Sequence, residues 1–193
     1  MSSPKWLLDA AESLFKALAG AMAKPQTTGE PLFSATTVQH IEGTMYSREA
    51  EEDGQRRRMV DFCRSQKGKG YLLGVEVKPG DEYNAENWDC SEQDEAAFRL
   101  EGMPFPDGAQ AQYDFCRPVP APKPGDLFFL WSDIRKCIGH VGMYTGEGTV
   151  VHAVKGRGVV EDPVGMWEGH VRFRGWRRHP DFARAPDERG NHV

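Results

Sequence analysis

The strongest chemical signal in the chain is one cysteine followed at a distance by two histidines. In Asp89-Cys90-Ser91-Glu92, Asp89 is the kind of residue that caps a helix. Glu92, three residues on, completes a capping-box pattern. Cys90 then stands in the first helical turn, where unpaired N–H groups and the positive dipole end favour a thiolate. A thiolate is the form that attacks a carbonyl. The acids Glu92, Asp94 and Glu95 oppose it, because like charge raises a thiol's pKa. A histidine is therefore needed, first to support the thiolate and then to protonate a leaving amine. Among six histidines, His140 and His152 lie in neighbouring strand-like runs joined by a short turn. Antiparallel pairing of those runs can bring both rings to one face, with His140 as base and His152 orienting it. His40, His170, His179 and His192 sit in segments without such pairing and read as ordinary surface or core residues.

These residues need a helix and a sheet to hold them. A helix is expected over Glu49–Ser65 and another after Asp89. A short strand is expected within Tyr71–Val77, and Gly102–Gly125 is rich in turn formers. Strand-like runs follow at Asp126–Trp131, Ile138–Tyr144, Thr149–Val154, Val159–Glu161 and Val171–Trp176, separated by signals such as Gly146-Glu147-Gly148. Helices first and antiparallel strands second is the α+β pattern.

At the N-terminus, Leu7, Ala11, Leu14, Phe15, Leu18 and Met22 fall on one helical face, and Asp9, Glu12, Ser13 and Lys16 on the other. Ser3 suits the N-cap and Pro4 the first helical position. The charges interrupt any continuous apolar stretch, so the expectation is an amphipathic helix over residues 4–23 rather than a secretory leader. Packing on the main domain and contact with a membrane or envelope both suit that helix. Pro25, Gly29 and Pro31 mark a linker. The expected organisation is helix and linker over 1–34, a catalytic domain over 35–180, and a flexible tail over 181–193.

The 193 residues carry a net charge of −5 and are 39% hydrophobic, enough for one cored domain. No apolar run approaches the roughly 18 residues of a membrane span. Net acidity argues against nucleic acid as the main partner. Acids crowd Glu76–Asp107, and Arg172, Arg174, Arg177 and Arg178 form a basic segment; solvated surface explains both, while the basic one also suits an anionic polymer such as a cell wall. Four cysteines, Cys63, Cys90, Cys116 and Cys137, are too sparse for a disulfide scaffold.

Four local motifs sharpen the reading. Asp89-Cys90-Ser91 resembles the start of the catalytic helix in NlpC/P60 peptidases. Pro124-Gly125-Asp126-Leu127-Phe128-Phe129 resembles that family's Pro-Gly-Asp-Leu strand opening. Ile138-Gly139-His140-Val141-Gly142-Met143-Tyr144 resembles its catalytic-histidine strand, and Val151-His152-Ala153 the strand bearing its third catalytic residue. The motifs occur in the family's order, and the similarity runs from about Tyr71 to about Arg178. The resemblance implies a papain-like α+β fold, its catalytic helix packed on a five- to six-stranded antiparallel sheet. It implies cleavage of amide bonds in peptidoglycan stem peptides, with no metal or other cofactor. It assigns Cys90, His140 and His152 to catalysis and Tyr71, Asp89 and Ser91 to substrate binding, with the Cys90 N–H as oxyanion donor. Three features depart from the family pattern. Glu92 replaces a glycine, Tyr71-Leu72-Leu73-Gly74-Val75 replaces Tyr-x-Trp-Gly-Gly, and the stretch from Tyr71 to Cys90 is long.

Rival readings are an amidase or acyltransferase on the same fold, a non-catalytic phage structural or wall-binding module, and a zinc site. For zinc, Cys137 or Cys116 would join His140 and His152, but strand alternation sets Cys137 and His140 on opposite faces. Without a secretory leader, a wall hydrolase is expected to reach its substrate by phage release, in a virion or by injection. Nothing in the pattern specifies an oligomeric state.

Overall fold

The computed structural model describes residues 35–183, with side chains from Arg48 to Phe182. The chain divides into two compact units, Met1–Met45 and Tyr46–Val193, and every strand among the described residues belongs to the second. The amphipathic helix expected over 4–23, the linker before residue 35 and the end of the tail lie outside the described residues.

The first described element, α1 (Ala35–Ser65), begins well before Glu49. No proline interrupts it, and its glycines, Gly43 and Gly54, cost only about 1 kcal/mol each. Its end turns Met59, Val60, Phe62 and Cys63 into the core. Two short parallel strands come next, β1 (Gly70–Tyr71) and β2 (Asn87–Trp88). The expected strand over Tyr71–Val77 stops at Tyr71, because Gly74 turns the chain at φ 71°. Then come α2 (Cys90–Leu100) and α3 (Ala109–Phe115), the latter inside the segment read only as turns.

The remaining strands are β3 (Arg117–Val119), β4 (Leu127–Ser132), β5 (Cys137–Tyr144), β6 (Thr149–Val154), β7 (Gly158–Pro163) and β8 (Phe173–Arg178). They form one six-stranded antiparallel sheet in the order β3-β8-β4-β5-β6-β7. The short helix α4 (Pro180–Ala183) carries Phe182 into the core, so the segment expected as tail starts packed.

Strand alternation sorts the side chains onto two faces. Leu127 and Phe129, Val141 and Met143, and Val151 and Ala153 join the residues of α1 and α2 in the main core. Phe128, Leu130, Val150 and Trp176 form a smaller cluster with Tyr144, Trp167 and Phe173. Both faces are covered, which is why β4 reads as a continuous apolar run.

The acidic segment is not simply solvated surface. Glu82, Asp89, Glu92 and Asp94 are buried. Arg99 holds Glu82 at 2.9 Å, Glu95 at 3.2 Å, Glu92 at 3.4 Å and the Val77 carbonyl at 3.0 Å, stapling the long 72–86 stretch to α2. The basic segment is also engaged: Arg178 pairs with Asp126 at 2.7 Å, Arg172 with Asp133 at 2.7 Å, and Arg177 donates to the Cys116 carbonyl and lies 3.5 Å over the Tyr113 ring.

Candidate active site

Asp89 caps α2. Its Oδ1 accepts from the N–H groups of Ser91 (3.0 Å) and Glu92 (2.9 Å), and its backbone oxygen from Gln93 (3.2 Å). Cys90 is thus the one first-turn residue whose N–H these acceptors leave unclaimed. The expected reciprocal half of the capping box does not form. Instead the Glu92 carboxylate accepts the Val77 N–H at 3.1 Å and contacts Arg99. Trp88, fully buried and bonded through Nε1 to Gln66 at 3.2 Å, anchors the chain just before the helix starts.

Cys90 is 6% exposed and belongs to the main core, where α2 crosses β5 and β6. The N–H groups of Val141 and Ser91 bear on its sulfur and favour the thiolate, but burial and the neighbouring Asp89 outweigh them and push its pKa up to about 12. The residue whose N–H meets the sulfur is thus the one directly after His140. There β5 has no β6 neighbour, because the two strands pair only at Met143↔Val151 and Tyr144↔Val150.

Across that opening, His140 Nε2 and His152 Nδ1 lie 2.8 Å apart. Both rings share the face of Phe128, whose centroid is 5.7 Å from His140 and 5.4 Å from His152, and Trp167 closes on His152 at 5.6 Å. His152 is fully buried. Burial drives the His140 pKa down to about 3 and lowers that of His152. Both imidazoles are therefore neutral near neutral pH, as the Cys90 thiol is. His140 Nδ1 has no hydrogen-bond partner among the described residues.

Two glycines of the motifs have specific work. A Cβ on Gly142 would come within 2.5 Å of His152 Cβ and 2.6 Å of a Phe128 ring carbon, so only glycine lets β5 and β6 close around the histidine pair. Gly74, left-handed at φ 71°, donates its N–H to Asp89 Oδ2 at 2.9 Å.

Tyr71 is brought beside Cys90 and Asp89. Its hydroxyl feels the charges of Cys90, Asp89 and Arg135, and burial raises its pKa. The Ser91 hydroxyl donates to Asp89 Oδ1 at 3.0 Å. Tyr71, Asp89 and Ser91 thus gather with Cys90 at the start of α2, on the main-core face, whereas His140 and His152 lie with Phe128 on the other face of the sheet; the Val141 N–H is the contact that links the histidine strand to the sulfur. Two surface cavities of about 410 and 310 Å³ lie elsewhere, with none of Cys90, His140 or His152 in their walls.

The sequence pattern did not reveal Asp162 and Arg157. His152 Nε2 lies 3.1 Å from Asp162 Oδ2, and Arg157 grips both Asp162 oxygens at 2.8 Å. A hairpin signal, Lys155-Gly156-Arg157-Gly158, was available, but only the register His152↔Val160 puts Asp162 on the histidine's face. Strand alternation also fails between Cys137 and His140. Pairing shifts between Leu130↔His140 and Trp131↔Ile138, leaving Gly139 as an extra bulged residue, so counting by twos from Cys137 to His140 breaks down. Among the described residues, no three His, Cys, Asp or Glu side chains are arranged to hold a metal, and no helix is long and apolar enough to cross a membrane. The four cysteines are unpaired; three are buried and Cys137 is partly exposed.

A model of the NlpC/P60 family matches residues 68–175, more than half of the chain. No curated protein sequence matches it. Several solved structures are similar. NlpC2 from Trichomonas vaginalis aligns at 21% identity with a TM-score of 0.56, over 65% of this chain and 46% of that one. A lipoprotein-like NLP/P60 protein from Staphylococcus aureus aligns at 23% identity and TM-score 0.54, over 65% and 41%. The P60 domain of an antigen from M. avium subspecies paratuberculosis aligns at 23% and 0.53, over 66% of this chain and 95% of that domain. At such identities the likeness concerns the fold, and the chain spans less than half the length of the first two.

Proposed function

The chain belongs to the NlpC/P60 family, and on that premise we propose that it is a cell-wall hydrolase cleaving amide bonds in peptidoglycan stem peptides, with Cys90 as nucleophile, His140 as base and His152 as its orienting partner. The observation that carries this is the 2.8 Å His140–His152 contact on the strand whose next residue, Val141, meets the Cys90 sulfur. His152 engages His140 through Nε2, which directs the lone pair on Nδ1 to serve as base.

Since burial favours thiol and neutral imidazole in the resting site, the proton leaves sulfur as attack proceeds. Sγ bonds to the scissile carbonyl carbon, its proton passes to His140 Nδ1, and the carbonyl π pair moves onto oxygen, where the unclaimed Cys90 N–H receives it. Collapse of that intermediate breaks the C–N bond, and His140 returns its proton to the departing amine. Water then attacks the thioester, giving its proton to His140. The C–S bond breaks, and the thiol and a free carboxyl result. Asp89 and Tyr71 border the sulfur and offer a carboxylate and a phenol to a substrate ammonium, while Ser91 acts through its bond to Asp89.

Digestion of purified peptidoglycan by the full chain, with products identified by mass spectrometry, tests the proposal. New amine and carboxyl ends within stem peptides are expected, with Cys90→Ala reducing the rate by about 10⁴-fold or more. Undiminished cutting by Cys90→Ala, or cleavage confined to glycan bonds, would overturn it.

A further inference from the structure

Beyond the cysteine and the two histidines, we propose that Asp162, clamped by Arg157, is a positioning residue that fixes the tautomers of both histidines and so decides which nitrogen of His140 is free to accept a proton. Its consequence for rate rests on the function proposed above; its consequence for protonation does not.

One line of contacts fixes each proton in turn. Arg157 Nη1 and Nη2 each donate to one Asp162 oxygen at 2.8 Å, a two-pronged grip that keeps the carboxyl ionised and oriented. The same grip is the main cause of the lowered Asp162 pKa. A carboxylate only accepts hydrogen bonds. The nitrogen 3.1 Å from Asp162 Oδ2, His152 Nε2, must therefore carry a hydrogen. His152 is fully buried and neutral, so it has one ring proton, and its Nδ1 is a bare lone pair. His140 Nε2, 2.8 Å away, must then be the donor. His140 is neutral too, so its single proton sits on Nε2 and its Nδ1 is bare. Nδ1 is the nitrogen without a partner among the described residues. The carboxylate thus sets a proton pattern two rings away, and Phe128 and Trp167 pack against those rings, as shielding from water requires.

The site includes an exposed handle. Arg157's side chain is 48% exposed, while that of Asp162 is only 7% exposed. Arg157 also lies in the β6–β7 hairpin turn, outside the sheet ladder. It can therefore be changed without disturbing the core.

Asp162→Ala is the discriminating variant. Oδ2 accepts from both Arg157 Nη1 and His152 Nε2, so an asparagine can place its one oxygen there and keep His152 in the same tautomer, with its NH₂ turned toward Arg157 Nη2. Alanine removes the acceptor and imposes no direction, which frees both rings to carry the proton on Nδ1.

Two readouts test this on the full chain. In long-range ¹H–¹⁵N NMR spectra at neutral pH, both rings should be Nε2–H in wild type and in Asp162→Asn, and Nδ1–H should appear in Asp162→Ala. Unchanged, wholly Nε2–H tautomers in Asp162→Ala, or Nδ1–H rings in wild type, overturn the proposal. In wall hydrolysis, Asp162→Ala should lose about 10²-fold or more in kcat/KM, as expected when a base is no longer held in one tautomer, and Asp162→Asn should lose less. Arg157→Gln should lose less than Asp162→Ala, with Arg157→Lys recovering part of the loss. Asp162→Ala hydrolysing as fast as Asp162→Asn contradicts the proposal. If Cys90→Ala hydrolyses the wall as wild type does, the enzymatic reading falls, and the tautomer measurement alone decides for Asp162.

Discussion

Asp126 is fully buried where the turn before β4 meets α1 and β8. Its carboxylate accepts from the Lys123 N–H at 2.8 Å, from Arg56 at 3.0 Å, and from Arg178 at 2.7, 2.9 and 3.2 Å. Asp126→Asn keeps the shape but removes the charge and half of the acceptor capacity. The two arginines differ in what they can recover. Arg178's side chain is 15% exposed and can turn to water; Arg56's is 2% exposed and retains Glu52 at 2.8 Å, the Pro124 carbonyl at 2.9 Å and the Phe182 ring, 4.1 Å away. Removing one member of a buried pair costs about 3–5 kcal/mol, mostly by stranding the other charge. For a domain of this size that corresponds to a fall in Tm of roughly 6–20 °C. Urea unfolding followed by tryptophan fluorescence should show a lower midpoint and an unchanged slope. The shift should persist in molar salt, because a buried pair is screened little. With Arg178→Met, the double variant should lose at least about 1.5 kcal/mol less than the sum of the singles. A loss below about 1 kcal/mol for Asp126→Asn, or additive singles, would refute the view that this carboxylate ties helix and sheet together.

Two predictions concern pH. In the unfolded chain the His140 imidazole takes a proton near pH 6.5, but in the folded chain only near about 3. Acid therefore favours unfolding through this group by about 1.4 kcal/mol per pH unit between those limits, and the stability of His140→Gln should fall less steeply from pH 6.5 to 4 than that of wild type. Parallel curves would contradict the burial argument. Glu92 goes the other way: burial raises its pKa to about 7, so the stability it contributes is present below about pH 4.5 and is lost as pH rises through 7. Glu92→Gln keeps an acceptor for the Val77 N–H and should gain stability relative to wild type between pH 5 and 9, by up to about 3 kcal/mol; a constant difference across that range would show that the carboxylate is comfortably ionised.

Much of the site was legible because its parts are local. An N-cap acid beside a cysteine specifies a helix start within four residues, and the structure has Asp89 capping α2. The alternating runs around His140 and His152, joined by Gly146-Glu147-Gly148, specify a hairpin, and β5 and β6 form one. Elements that depend on distant partners were harder to see. Among the described residues β3 pairs only with β8, and α3 has too few residues to show a helical period. Glu92 looked like half of a capping box, yet its carboxylate turns to Val77 and Arg99 because the 72–86 stretch folds back over α2.

The sequence by itself determined which residue types stand at the helix start and along the sheet, since propensity, capping and period-two patterning act over a few neighbours. The tertiary structure decided what surrounds them. The Gly139 bulge sets which way the residues before His140 face, and the β6–β7 register brings Asp162 to His152. Burial, helped by Asp89 at the cysteine and by His152 at the histidine, raises the Cys90 pKa and lowers that of His140, because desolvation penalises charge only once other parts of the chain have displaced the water.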